Sequence, residues 1–311
     1  MNRPTVVRTR DELRNVLAPA RRAGRTIGLV PTMGALHDGH LSLLRAARQR
    51  CDVVVMSLFV NPMQFGPQED FASYPRDEER DVALAGQVGV DVVYAPDAAH
   101  VYPPDFATFV EVGGGLTDVL CGDPGRRGPS HFRGVTTVVA KLFNAVEPDV
   151  AFFGQKDAQQ AIVIQRMVRD LEFNIEIVVL PTVREPDGLA MSSRNAYLSP
   201  DDRVRARALN QALTKVLEVA KAGETSTERA LAEARAVLAE AGIEPEYLEA
   251  RDAENLTPVT RFGPRPVLVA VAARVGRARL IDNVVVDATP ANEPMAASVD
   301  TTGGAPCVGR C

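Results

Sequence analysis

Apolar residues along this chain follow two alternating rhythms. Short β-branched runs recur, and between them lie longer stretches with apolar residues three and four apart. Thr9-Arg10-Asp11-Glu12 has capping-box spacing, so a helix is predicted through Leu13, Val16 and Leu17, perturbed at Pro19 and ending near Gly24. Ile27 to Val30 reads as a buried strand running into the turn Pro31 to Gly34, and Leu41, Leu44 and Ala47 mark the apolar face of the next helix. Asp52 to Phe59 reads as a strand, Arg76 to Val88 as a helix and Val90 to Tyr94 as a strand. After a Gly- and Pro-rich middle the alternation resumes: helix Val135 to Val146, strand Val150 to Phe153, helix Ala158 to Leu171, strand Ile175 to Leu180.

Apolar strands alternating with helices argue for a parallel sheet covered on both faces. The predicted class is therefore α/β, a Rossmann-like, doubly wound parallel sheet spanning residues 1–182. Beyond it the order changes. Ser199-Pro200 caps a long helix to Ala222, stopped by Gly223, and a second helix runs from Thr227 to Ala241. Three strands follow, Tyr247 to Arg251, Pro266 to Val275 and Ala278 to Val286. Helices then strands without alternation predict a smaller C-terminal α+β domain, residues 183–287. Residues 288–311, rich in Pro, Gly, Ala, Thr and Ser, are expected to be a disordered tail.

Charge narrows the function. The 311 residues carry a formal net charge of −5, which disfavours a general nucleic-acid binder and leaves room for a local basic pocket. Val53 to Val60 is apolar but too short to span a bilayer, so no membrane role is expected. Cys51 and Cys121 look like lone buried or semi-buried thiols, and Cys307 and Cys311 fall in the tail. Four cysteines at this length make no disulfide framework, which points to a reducing, cytoplasmic setting.

Chemistry concentrates at strand ends, where an open α/β sheet binds ligands. GxGxxG is absent after the first strand, and the chain has no Gly-Lys-Ser/Thr. Met33-Gly34-Ala35-Leu36-His37-Asp38-Gly39-His40 stands there instead, with two of the four histidines at a helix start. That first turn has unpaired N–H groups and a positive dipole end, which favour anions. The same histidines could be plain helix caps, or a metal pair short of ligands. A second cluster, Gly154-Gln155-Lys156-Asp157, offers a lysine for phosphate and an aspartate for magnesium; alone it reads as a solvated loop. A third, Met191-Ser192-Ser193-Arg194, suits a mobile phosphate clamp; alone it is ordinary loop composition.

Together, HxGH and a Ser-Ser-Arg loop resemble the nucleotidyltransferase superfamily. Phe59-Val60-Asn61-Pro62-Met63-Gln64-Phe65, Tyr74-Pro75-Arg76, His131-Phe132-Arg133-Gly134-Val135, Gly154 to Asp157 and Met191 to Asn195 resemble, in order, the pantoate–β-alanine ligase family. The resemblance runs from about Thr9 to Asp287. It implies a ligase that joins pantoate to β-alanine with ATP, through pantoyl adenylate, releasing AMP and pyrophosphate. It also implies magnesium and a homodimer. By the same resemblance ATP falls to Met33 to His40, Gly154 to Asp157, Val183 and Met191 to Arg194, and the catalytic histidine is His40. His37, Lys156 and Arg194 would oppose developing charge with it, and Asp157 would serve magnesium. Pantoate falls to Gln64 and Gln160, with Gln64 also near β-alanine. The family more often has glutamate at Gln155 and an aromatic at Ala158. Other readings are a nucleotidyltransferase acting on another coenzyme precursor and a nucleotide-sensing module with a dead site.

Overall fold

The structure, a computed structural model, describes residues 3–66, 69 and 71–287. The tail, with Cys307 and Cys311, lies outside the described residues. Along the chain run β1 (Thr5–Val7), α1 (Arg10–Arg22), β2 (Ile27–Thr32), α2 (Asp38–Arg50), β3 (Val53–Leu58), α3 (Glu78–Gln87), β4 (Val92–Tyr94) and α4 (Ala98–Val101). Then come α5 (Pro129–Val146), β5 (Val150–Gly154), α6 (Ala158–Asp170), β6 (Glu176–Leu180), α7 (Pro200–Ala206), α8 (Ala208–Lys221), α9 (Thr227–Glu240), β7 (Pro245–Asp252), β8 (Val267–Val275) and β9 (Ala278–Val286).

The first six strands form one parallel sheet in the order β1-β4-β3-β2-β5-β6. The chain winds outward from β2 through β3 and β4, then returns to add β5 on the other side of β2. That reversal is the switch point of a doubly wound sheet, where a crevice opens beyond the strand ends. Alternation of side chains fixes both faces. Val53 and Val55 of β3 join a core with Leu13 and Leu17 of α1 and Val139 and Phe143 of α5. Val54 and Met56 point the other way, to Leu44 of α2 and Val82 and Ala85 of α3. The capping box at Thr9 forms, with the Glu12 amide donating to its hydroxyl at 3.2 Å.

Some local expectations change. β1 was not predicted; it pairs with β4 at the sheet edge, and three residues are too few to show a period. α5 starts at Pro129, not Val135, because Gly134 is a mid-helix contact point and not a stop. The long helix after Ser199 is two, α7 and α8, separated at Arg207, whose backbone stays helical. Cys51 and Cys121 are free and buried, as expected.

β7, β8 and β9 form an antiparallel sheet, and β8 is buried on both faces. Val267, Val269 and Val271 pack with Leu209 and Leu213 of α8 and Leu238 of α9. Leu268, Ala270 and Ala272 pack with Tyr247, Phe132 of α5 and Ile162 of α6. The smaller sheet is thus joined to the larger one by a shared apolar core. Among the described residues no helix is long and apolar enough to cross a membrane.

Candidate active site

The switch point opens into a cavity of about 260 Å³. All three clusters reach it: Met33, His37, Gly39 and His40 after β2, Gly154, Lys156 and Asp157 after β5, and Val183, Met191 and Arg194 beyond β6. Gln64 and Gln160 line it as well.

His37 is the N-cap of α2, and its Nδ1 accepts the Gly39 amide at 3.1 Å. His40 completes a reciprocal cap, its Nδ1 accepting the His37 amide at 3.4 Å. The capping and ligand readings of these histidines are therefore compatible. With Nδ1 an acceptor, a neutral ring carries its proton on Nε2. Burial, then Lys156, holds the His37 pKa down to about 4. Burial, then His37 and Lys156, holds His40 to about 3. Their rings stand 4.1 Å apart at 37°. Near neutral pH the pair presents uncharged N–H donors at a helix N-terminus, beside the Lys156 ammonium.

Not every residue of the first cluster faces the cavity. Ala35 and Leu36 direct their amides to Asp81 on α3, both at 2.8 Å. Asp81 is 1% exposed, and burial raises its pKa against the pull of those amides. Gly34 is required beside it: φ is +86°, and a Cβ would lie 2.8 Å from the Asp81 carboxylate. Leu36 and Asp38 face a separate hollow with Ser192 and Glu185. Asp81 thus shapes the turn, and no motif revealed it. Asp81→Ala should cost about 1–3 kcal/mol for each orphaned amide, and Asp81→Asn should recover no more than part, since its NH₂ faces one of them. Urea unfolding checks this; equal midpoints for the wild type and Asp81→Ala would refute it.

The second cluster is tied to β9. The Asn283 Nδ2 donates to the carbonyls of Gln155 and Lys156, both at 2.9 Å, and its Oδ1 accepts from the Gln155 side-chain Nε2 at 3.2 Å. Gln155 is thereby an anchor of the loop. Lys156 Nζ lies 3.6 Å from Asp157 Oδ2. Ala158 is buried and belongs to the shared core.

The third cluster sits on a braced loop. Arg184 forms a bidentate pair with buried Asp282, at 2.6 and 3.0 Å. The Met191 amide donates to Val183 O at 3.0 Å, which brings those two residues together. Ser192 caps a short turn, its Oγ accepting the Arg194 amide at 3.3 Å. Tyr74 OH lies 3.5 Å from Ser193 Oγ. Sequence reasoning missed Thr182, whose buried hydroxyl lines the cavity with no protein hydrogen-bond partner. It missed Asn283 and Asp282 too, because their partners lie about a hundred residues away.

Gln64 ends a single 3-10 turn, Pro62–Gln64. Its Nε2 donates to Met33 Sδ at 2.9 Å, and its Oε1 accepts from Asn61 Nδ2 at 3.1 Å. The neutral amides of Gln64 and Asn61 suit a ligand with hydroxyls; Lys156 and Arg194 lie in the strand-end clusters, and Arg127, which also lines the cavity, is paired with Glu69.

Known proteins resemble this chain over most of its length. A sequence family described as Pantoate-beta-alanine ligase matches residues 5–285. A pantothenate synthetase from Moorella thermoacetica is 56% identical over 286 residues, covering 91% of this chain and 98% of its own. A pantothenate synthetase structure from Thermus thermophilus has a TM-score of 0.84 and 47% identity, covering 90% of this chain and 98% of that one. A pantoate-beta-alanine ligase from Francisella tularensis, complexed with beta-gamma ATP and beta-alanine, has a TM-score of 0.72 and 30% identity, covering 91% and 97%. Likeness of this degree over nearly the full length is a matter of family and not of fold alone: this chain belongs to the pantoate–β-alanine ligase family.

Proposed function

We propose that the residues lining this crevice divide the family's reaction between a nucleotide end and a pantoate end. The chain condenses pantoate with β-alanine at the expense of ATP, giving pantothenate, AMP and pyrophosphate through pantoyl adenylate. In the first step a pantoate carboxylate oxygen bonds to the α-phosphorus, and the bond from that phosphorus to the β-phosphate bridge breaks. The charge that develops on the bridging oxygen and the pyrophosphate meets the Nε2–H groups of His37 and His40, Lys156 and Arg194. In the second step the β-alanine amine attacks the acyl carbon, loses a proton and expels AMP. The observation that carries this division is one cavity lined by neutral imidazole donors and Lys156 together with two uncharged glutamines.

The donor set fits magnesium: it takes one or two protein carboxylates and fills its sphere with phosphate oxygens and water. Asp157, with its carboxylate half exposed beside Lys156, would hold it, and the ion would supply charge neutralisation on the phosphates. Homodimerisation and a cytoplasmic location belong to the same reading, supported by the family resemblance. ATP lies along Met33 to His40, Gly154 to Asp157, Val183 and Met191 to Arg194, and the Thr182 hydroxyl is a further candidate contact. Pantoate meets Gln64 and Gln160, and β-alanine approaches beside Gln64.

Labelled pyrophosphate should exchange into ATP when pantoate is present and β-alanine absent. Oxygen-18 in the pantoate carboxylate should appear in AMP. Exchange that requires β-alanine, or ADP and labelled phosphate as products, would point to an acyl phosphate and overturn the adenylate reading. Gln64→Ala and Gln160→Ala should each weaken pantoate by about 1–3 kcal/mol and ATP far less. Calorimetric titration of both ligands checks this; equal losses would mean that the glutamines are misassigned.

A further inference from the structure

Gln64 is only as well placed as the turn that carries it, and that turn is weak by itself. Its two backbone bonds, Gln64 N to Asn61 O and Phe65 N to Pro62 O, are both 3.4 Å long. Support comes from α5. Gly134 presses so close that a Cβ there would collide with the Met63 carbonyl oxygen. Asn61 Nδ2 donates to Gly134 O at 3.0 Å, and Tyr102 OH donates to Asn61 Oδ1 at 2.8 Å. These contacts hold the start of the turn.

Its end is held by His131, which is 8% exposed. Nδ1 lies 2.7 Å from the Gln64 carbonyl oxygen, and Nε2 lies 3.1 Å from an Arg127 guanidinium nitrogen. A carbonyl accepts and a guanidinium donates, so the ring is the neutral Nδ1–H tautomer. Its proton is placed opposite to those of His37 and His40. Burial, then Arg127, holds its pKa to about 3, so the donor persists near neutral pH. The other edge of Arg127 grips Glu69 bidentately, at 2.7 and 3.0 Å.

We propose that His131, fixed by Arg127 and Glu69, is a positioning residue that sets the Gln64 turn for pantoate. The inference rests on the reading that Gln64 holds pantoate. It explains why the Asn61-Pro62-Met63-Gln64 and His131-Phe132-Arg133-Gly134 segments occur together: they are two sides of one contact. Small misplacements of a substrate-holding group carry large kinetic costs.

The test uses pyrophosphate exchange with pantoate and ATP varied separately. His131→Leu removes the donor at similar bulk, whereas His131→Asn keeps an N–H near the Nδ1 position. His131→Leu should raise the pantoate KM at least tenfold and leave the ATP KM within threefold. His131→Asn should restore the pantoate KM to within threefold of the wild type. If Leu and Asn variants behave alike, or if both KM values rise together, the proposal is overturned. Should His131→Leu fail to fold, Glu69→Gln loosens the far end of the chain of bonds. It should raise the pantoate KM more than threefold, and a value within threefold of the wild type overturns the proposal. In a Gln64→Ala background, His131→Leu should add nothing further; an additive effect would mean that His131 acts elsewhere. A Gln64→Ala enzyme with a wild-type pantoate KM would overturn the Gln64 reading and the brace with it. A raised KM in Gln64→Ala but not in His131→Leu would overturn the brace alone.

Discussion

Lys156→Ala and His40→Ala should each slow pantoyl-adenylate formation by at least ~10²-fold, the scale for losing one preorganised donor at a charge-developing centre. The two residues contribute differently. Lys156 brings a full charge to the end of β5, held in place by Asn283 through the loop carbonyls. His40 brings an uncharged Nε2–H, which would meet phosphate without the solvation cost of a buried cation. Its Nδ1 is occupied by the His37 amide, so the ring is aimed before the nucleotide arrives. Single-turnover measurement, with folding checked by circular dichroism, is the test. A folded variant within a few-fold of the wild type would remove that residue from the reaction centre.

Acid should unfold this protein earlier than its carboxylates alone would require. Three imidazoles have pKa values lowered from 6.5: His37 to about 4, and His40 and His131 to about 3. In the unfolded chain each takes up a proton near pH ~6.5, while the native state refuses it. The unfolded state therefore binds more protons, and stability falls as pH drops below ~6.5. The loss continues until about 4 for His37 and about 3 for the other two. Each imidazole contributes up to ~1.4 kcal/mol per pH unit, so near pH 5 the three approach ~4 kcal/mol per unit. Against a typical net stability of ~5–15 kcal/mol, that is enough to melt the fold within a few units. Glu69 and Glu78, lowered from 4.5, add to the loss only further down, and Asp81, raised by burial, acts in the opposite sense. Urea midpoints at pH 7, 6 and 5 check this. A flat profile over that range would refute it, and His131→Asn should flatten the slope by about a third.

Much of this was legible in the chain because its causes are local. The Thr9–Glu12 capping box, the β-branched runs of β2, β3 and β5, and the stop at Gly223 act over a few residues. The three clusters were legible as strand-end motifs, and their convergence followed from doubly wound topology. What escaped depends on distant pairing. β1 exists because β4, some ninety residues on, offers an edge. Asp81 looks like one more charge on an amphipathic helix until it meets the Ala35 and Leu36 amides. Asn283 and Asp282 serve the site from the last strand, where sequence shows only a polar interruption in an apolar run.

The double burial of β8 limits how the two sheets can move. A hinge that swung the smaller sheet outward would uncover Leu268 and Tyr247 and, opposite them, Phe132 and Ile162. Exposing such side chains costs ~1.5–3 kcal/mol apiece. A shear that slides one layer along the other keeps them in contact. A graft of the smaller sheet onto another scaffold would therefore have to carry the α5 and α6 surface with it.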